Sequence, residues 1–476
     1  MKEALFSVEE MRRADALAVA AGAGSFDLML RAGRAVAAAI EARFAPQPVI
    51  ALCGPGANGG DGYVAAAALR AAGWPVEAAS LGDPATLSGD AAHARDLWAG
   101  PIRPSTEFQD LAGLLVIDAL FGAGLSRPLS GEAARLVGLM AAAATIAIDM
   151  PSGLSGDGRP PEGPHARARL TVSFHAPKVG HRLMATAQHC GAVVIAPIGL
   201  GADAAHRLGV VTAENTPSLW RLPAPGDQTH KHARGRLCVV AGAAQAYAGA
   251  ARLSARAGLA AGAGWVTLAD AAGPLEPAAI VLAESRGGEG LGALAAGHDA
   301  VVVGPGLGRA EGAAGRVIAS LTAPAAVVDA DGLSAFQDAP DLLFAALPER
   351  AVLTPHAGEF ARVFPDLSAG SKLERTRAAA ARADCVVLFK GADTVIAAPD
   401  GRAAINRHAS PHLATAGTGD VLAGLIGALL AQGLPAFEAA CAGAWTHGEA
   451  SLRLGRGLMA DRLIEALPGA LAMAGG

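Results

Sequence analysis

The segment Leu413-Ala414-Thr415-Ala416-Gly417-Thr418-Gly419-Asp420-Val421-Leu422-Ala423-Gly424 ends a polar stretch and opens a helix. Free N–H groups at a glycine-rich helix start form an anion hole, and an Asp placed there can act on a hydroxyl beside a phosphoryl group. The plainer alternative is an Asp that only caps the helix. In the first half of the chain, Gly54-Pro55-Gly56-Ala57-Asn58-Gly59-Gly60-Asp61-Gly62 interleaves five glycines with Asn and Asp, more than a tight turn needs. Backbone N–H groups there can face a ligand, and a following helix favours an anionic group. Polar residues also follow apolar runs at Asp118, at Asp149 and Ser152, and at Lys178. Each alone could be a cap. Together they mark one ligand-binding edge.

The elements that must position them are strands apolar on both faces. Val49-Ile50-Ala51-Leu52-Cys53 leads into the first glycine-rich segment, which opens a helix read over 63–70. Further runs lie at 114–117, 146–148, 170–174 and 192–196. Helices alternate with them, including one capped by Ser7 and Glu10 with a stripe through Met11, Ala14, Leu17 and Ala18, and one over 26–43. Such alternation means a parallel sheet covered by helices, whose carboxyl edge is where ligands bind. The region 204–228, with Pro217, Pro223, Pro225 and Gly226, breaks the rhythm and reads as a junction. A second series follows at 237–241, 265–269, 300–303, 325–328, 352–353 and 385–389, then a strand at 394–398 entering a turn at Asp400-Gly401. The last strong helix is read from Asp420 through Leu430, closed by Gly433.

A chain of 476 residues with 52% hydrophobic content is a folded protein of two or three domains. Net charge is −5, and the absence of a Lys/Arg run argues against nucleic acid as a partner. Cys53, Cys190, Cys238, Cys385 and Cys441 form no C-x-x-C pair and read as buried thiols. The charged N-terminus is no signal peptide, and the longest apolar runs fall short of the ~20 residues of a spanning helix. No membrane association is expected, and a cytoplasmic enzyme is the default. A homo-oligomer is compatible with the sequence.

The N-terminal motifs, as a set, resemble the YjeF N-terminal family, the NAD(P)H-hydrate epimerases, over about residues 1–205. The resemblance implies that Asn58, Asp118 and Ser152 give oxygen ligands to a potassium ion. It implies that Ala57, Asn58, Gly59, Gly60 and Asp61 line the site of the nicotinamide hydrate. Gly122, Ala123, Gly124, Leu125, Ser126, Arg127, Pro128 and Asp149 would line it too. Oxygen-only ligation suits a hard, weakly polarising cation. The family usually has two asparagines in the glycine-rich segment; Ala57 replaces the first, so only its backbone can contribute. Epimerising a carbinolamine carbon needs proton transfer. Asp149 and Lys178 are the candidates, with Lys178 equally readable as a phosphate or carboxylate partner.

The company kept by Asp420 is Gly304-Pro305-Gly306-Leu307-Gly308, Asp329-Ala330-Asp331-Gly332, Thr354-Pro355-His356-Ala357-Gly358-Glu359 and Lys390-Gly391-Ala392-Asp393-Thr394. Each follows a predicted strand. With His230 to Arg236 and Tyr247 to Arg252, these resemble the ribokinase-like superfamily, and most closely its YjeF C-terminal branch, the ADP- or ATP-dependent NAD(P)H-hydrate dehydratases. Coverage is about 225–470. The loop 241–246 lacks the expected Gly-Gly-Ser start. The resemblance implies that Ala250, Gly306, His356 and Asp420 contact the hydrate. Lys390, Gly391, Ala392, Asp393, Thr394 and Gly419 would hold the adenine nucleotide, ADP with Mg2+. His356 alone would more often be structural, and Glu359 can serve the helix start that follows it.

The reading is therefore a Rossmann-like parallel α/β sandwich over 1–210, an epimerase domain, joined to a ribokinase-like α/β domain over 222–476, an ADP-dependent dehydratase. Its substrates are hydrated NADH or NADPH and ADP. One rival is a small-molecule kinase that releases its phosphorylated product; another is a non-catalytic N-terminal binding module.

Overall fold

The computed structural model describes every residue except 1, 2, 202, 225, 227–229, 243–247, 272–276 and 476. Pro225 of the junction, the Tyr247 motif position and most of the loop after the first strand of the second series lie outside the described residues. The chain divides into two compact units: Met1–Thr212 with Gly370–Lys372, and Ala213–Ala369 with Leu373–Gly476. Both are mixed α/β, as the alternation of apolar strands and helices requires. No helix of the described residues is long and apolar enough to cross a membrane.

The first unit is built on a sheet of β1 (Val49–Cys53), β2 (Val76–Ser80), β3 (Ile102–Pro104), β4 (Leu115–Ala119), β5 (Ala144–Ile148), β6 (Leu170–Phe174) and β7 (Ala192–Ala196). Their order is β3-β2-β1-β4-β5-β6-β7, all parallel. Chain direction across the sheet reverses between β1 and β4, which opens a crevice at their carboxyl ends. The glycine-rich segment and Asp118 sit there, with Leu52 opposite Asp118. Strands β2 and β3 were not expected. They lie at the sheet edge, and Val-Glu-Ala-Ala-Ser is too polar at its start to read as a buried run.

The helix after β1 spans Ala57–Ala71, six residues longer at its start than the sequence suggested. Its glycines are packing residues, not loop residues. A Cβ on Gly59 would lie 2.0 Å from the Gly54 carbonyl oxygen, and one on Gly62 would lie 2.5 Å from the Ala119 Cβ. Close approach to the sheet offsets the ~1 kcal/mol that a helical glycine costs relative to alanine. The N-terminal helix Val8–Ala20 carries the expected capping box between Ser7 and Glu10.

The second unit holds a sheet of β8 (Thr212–Glu214), β9 (Arg236–Val240), β10 (Trp265–Ala269), β11 (Val281–Ala283), β12 (Ala300–Val303), β13 (Ala325–Val328), β14 (Arg350–Leu353), β15 (Val386–Phe389), β16 (Thr394–Ala397) and β17 (Ala403–Asn406). The order is β11-β10-β9-β12-β13-β14-β15-β16-β17-β8. Pairing is parallel from β11 to β15 and antiparallel from β15 through β17. The turn at Asp400-Gly401 closes the β16–β17 hairpin, with Gly401 at φ +90°. The helix bearing Asp420 spans Thr418–Ala431, but it is not the last. Ala436–Leu454 and Ala460–Ala474 follow and pack into the same core. Their alanine-rich composition, and Pro468 inside the second, hid them in the sequence. All five cysteines are free and buried.

Candidate active sites

In the first unit, Asp149 follows β5 with φ at +65°, a conformation that costs a non-glycine residue energy and persists where surroundings enforce it. Here they do. Lys178 Nζ donates to Asp149 Oδ1 at 2.5 Å and to Ser173 Oγ at 2.9 Å. Ser173 Oγ donates to the same Asp149 oxygen at 3.0 Å, and the Ala123 N–H donates to the other at 3.1 Å. Lys178 N–H donates to His181 Nδ1 at 3.0 Å, so His181 Nε2–H faces the Asp149 carbonyl at 2.9 Å. Burial, and then the Lys178 charge, push the His181 pKa down to about 4, so this imidazole is neutral. Burial pushes the Asp149 carboxyl up, but the Lys178 ammonium and its hydrogen bond outweigh that and hold it below the ordinary range. Asp149 is an ionised base at neutral pH.

Ala57, Asn58, Asp61, Gly122 to Arg127, Asp149 and Lys178 line one cavity of about 810 Å³. Pro128 lines an adjoining one with Arg127. Gly59 and Gly60 are buried against Gly54 and Met29, outside the cavity lining. Asp118 and Ser152 are fully buried. Ser152 Oγ donates to Asp118 Oδ1 at 2.5 Å and accepts from the Phe121 N–H at 3.0 Å, while Ser152 N–H reaches Asp118 Oδ2 at 2.8 Å. Burial pushes the Asp118 pKa up to about 6 against those hydrogen bonds. Asn58 Nδ2 is buried with no partner. A buried carboxylate met only by neutral donors is an arrangement a cation would complete.

The second unit gathers its charges around Lys390, which follows β15. Its Nζ meets Asp329 Oδ1, at the end of β13, at 2.7 Å, and Glu359 Oε2 at 3.7 Å. Gly419 leaves this space open; a Cβ there would lie 3.7 Å from Lys390 Nζ. Burial and the Asp329 charge push the Asp420 pKa up to about 7, Lys390 opposes them, and Asp331 and Glu359 add to the rise. A carboxyl poised there is matched to general-base work at neutral pH. Ser254 Oγ donates to the Asp420 carbonyl at 2.8 Å and toward the Ala250 carbonyl at 3.3 Å, tying those two expected positions together. The Gly308 N–H donates to Asp331 Oδ2 at 3.1 Å, fixing the loop that carries Gly306.

His356 caps the helix Ala357–Val363 through Nδ1, and its Nε2 faces Glu359 Oε1 at 3.2 Å. Its side chain is 55% exposed, which leaves it free to meet a ligand as well. Thr394 Oγ1 closes the turn 391–394 by bonding both backbone groups of Gly391; Gly391 and Ala392 are exposed and Asp393 is buried. The sequence reading missed Ser173, His181, Asp329 as the Lys390 partner, and His447. His447 Nε2 lies 2.8 Å from the Thr418 carbonyl and steadies the helix start from below. Only Asp329 left a signal, as a carboxylate just beyond an apolar strand.

The chain matches the family model of the YjeF-related protein N-terminus over residues 25–180 and that of NAD(P)H-hydrate dehydratase over residues 237–468. It is 36% identical over 503 residues to a bifunctional NAD(P)H-hydrate repair enzyme of Salinibacter ruber, with 94% of this chain and 92% of that protein covered. The corresponding enzyme of Mycobacterium tuberculosis is 39% identical over 400 residues, with 82% and 80% covered. Among solved structures, an ADP/ATP-dependent NAD(P)H-hydrate dehydratase of Bacillus subtilis, crystallised with ATP and Mg2+, is 27% identical. It covers 53% of this chain and 95% of its own, with a TM-score of 0.45.

Proposed function

Because this chain belongs to the family of bifunctional NAD(P)H-hydrate repair enzymes, we propose that it returns hydrated NADH and NADPH to use in two steps. The first unit interconverts the R and S hydrates, and the second consumes ADP to dehydrate the S form, giving AMP and phosphate. We place the border between the two activities within residues 210–222, and the enzyme in the cytoplasm, where its buried thiols stay reduced. The observation that carries the reading is Asp420, a carboxyl poised near neutrality at a glycine-rich helix start beside Lys390.

In the second unit, Asp420 accepts the proton of the C6 hydroxyl as that oxygen takes the terminal phosphoryl group. Lys390, with Gly391 to Thr394 and the Gly419 N–H, holds the nucleotide, while Ala250, Gly306 and His356 hold the hydrate. Phosphate then leaves C6, C5 loses a proton, and the ring double bond returns. Hydroxide is a poor leaving group and phosphate a good one. Positioning and charge stabilisation dominate such transfers. Among the described residues no three His, Cys, Asp or Glu are grouped as a metal cage. That suits Mg2+ arriving with ADP, since this ion is bound largely by phosphates and water and supplies charge neutralisation there. Purified protein given ADP and S hydrate should regain reduced-nicotinamide absorbance with equal release of AMP and phosphate. A kinase would instead accumulate a phosphorylated hydrate.

In the first unit, Asn58, Asp118 and Ser152 would hold potassium, which supplies a fixed positive charge behind the substrate loops. Asp149 and Lys178 move protons at the hydrated carbon. Potassium should raise the melting temperature of the first unit and its epimerase rate more than sodium does. Asp118→Asn should abolish both differences; equal behaviour in the two salts would remove the ion from the account.

A further inference from the structure

Asp15 is a cavity carboxylate of the first unit with no role so far. Asp15 sits on the helix Val8–Ala20, and Met11, Arg12, Asp15 and Val19 all line the 810 Å³ cavity. Met11, Asp15 and Val19 are spaced by four, so Asp15 interrupts an otherwise apolar stripe on the face that covers the cavity. The helix is pinned to the catalytic segment. Phe6 N–H donates to the Pro177 carbonyl at 3.0 Å, Val179 N–H donates to the Phe6 carbonyl at 3.0 Å, and Val8 N–H donates to Asp157 Oδ1 at 2.8 Å. Asp15 is thus held at a fixed place relative to Lys178, yet its carboxyl makes no hydrogen bond or ion pair among the described residues.

We propose that Asp15 is the acid of the epimerase cavity, working opposite the Asp149–Lys178 base. The inference rests on the epimerase reading of this unit. Asp15 gives its proton to the C6 hydroxyl; the C6–O bond breaks with its electron pair leaving as water, and the N1 lone pair forms a C6=N1 iminium. Water adds to the other face of C6 and loses a proton to Asp149, and solvent exchange resets the two carboxyls. Asp15, Asp61, Asp90 and Asp149 face the cavity together with Lys178, and with Arg12 and Arg127 at its lining. Burial raises the Asp15 pKa, Lys178 opposes the rise and Asp149 reinforces it, whereas that of Asp149 is lowered, so Asp15 holds its proton to higher pH than Asp149. Two carboxyls driven apart in this way are an acid and a base.

The test uses the full chain and measures epimerisation of R hydrate against pH. Wild-type kcat should fall as pH rises through the Asp15 value, which burial raises. Asp15→Asn should lose about 10²–10⁴-fold in kcat, the usual weight of a general acid, with KM within a few-fold and the alkaline limb gone. Asp15→Glu should restore part of the rate with a displaced limb. Dehydration of S hydrate by the same preparations reports that the chain is intact. Wild-type rate with an unchanged limb in Asp15→Asn, or a limb unmoved in Asp15→Glu, overturns the assignment. If Asp15→Asn does not fold, the limb position in Asp15→Glu decides alone. A wild-type chain that fails to interconvert the hydrates at all rejects the epimerase reading itself.

Discussion

Asp420→Asn should abolish dehydration while epimerisation continues in the same tube. The substitution keeps the shape and the oxygen of the side chain, and the helix start stays held by Ser254 on the Asp420 carbonyl and His447 on that of Thr418. What it removes is the proton acceptor. Loss of a general base costs roughly 10²–10⁴-fold. It should fall on kcat with little change in KM, because Lys390, Gly306 and His356 are untouched. The wild-type rate should rise with pH through about 7, since the base works only when ionised. The same shift fixes a stability sign. A carboxyl whose folded pKa is raised favours the fold below its unfolded value and loses that contribution as pH rises to about 7. Relative to wild type, Asp420→Asn should therefore gain melting temperature as pH rises from about 4 to about 7 and keep that gain above it. Near-normal recovery of reduced nicotinamide would leave Asp420 as a helix cap.

Lys178→Met should have the second largest effect, on both chemistry and stability. Lys178 is 2% exposed and is the ammonium that holds Asp149 ionised. Removing one partner of a buried ion pair costs about 3–5 kcal/mol because the other charge is stranded. In wild type, the depressed Asp149 carboxyl favours the fold above its unfolded value of about 3.9 and loses that contribution as pH falls through its lower folded value. In the variant burial is opposed only by the neutral Ser173 and Ala123 donors, the carboxyl moves upward, and the sign reverses. Lys178→Met should gain stability from pH 8 to pH 5 relative to wild type, measured by melting temperature. Its epimerase activity should fall by about 10²-fold or more, as expected when a base is protonated out of use. Dehydration should persist.

The parts of this molecule that were readable in the sequence are those whose signal is local. Val49–Cys53 is apolar at every position because both faces are buried, and Ser7 with Glu10 marks a helix start wherever it occurs. Strand-end carboxylates such as Asp118 and Asp149 stood out against apolar runs, and Asp420 stood out at a glycine-rich helix start. What was hidden depends on tertiary context. The glycines at 59, 60 and 62 look like a loop until the sheet is packed against them, when they prove to be the first turns of a helix. His356 reads as a ligand contact, yet its Nδ1 is committed to capping. Asp15 was passed over because it interrupts an apolar stripe, and only the folded cavity shows that Met11, Asp15 and Val19 face it together. The pairing of Asp329 with Lys390 spans 61 residues of sequence, and no spacing announces it.

The most direct test of two activities in one chain supplies pure R hydrate with ADP and follows reduced nicotinamide to completion. The second unit is assigned to the S form, so R hydrate can be recovered only after epimerisation by the first. Full conversion at an enzyme-dependent rate is expected, and Asp420→Asn should yield an R and S mixture with no reduced nicotinamide. Conversion no faster than the uncatalysed epimerisation, with S hydrate still consumed promptly, would contradict the account by leaving the first unit without its activity.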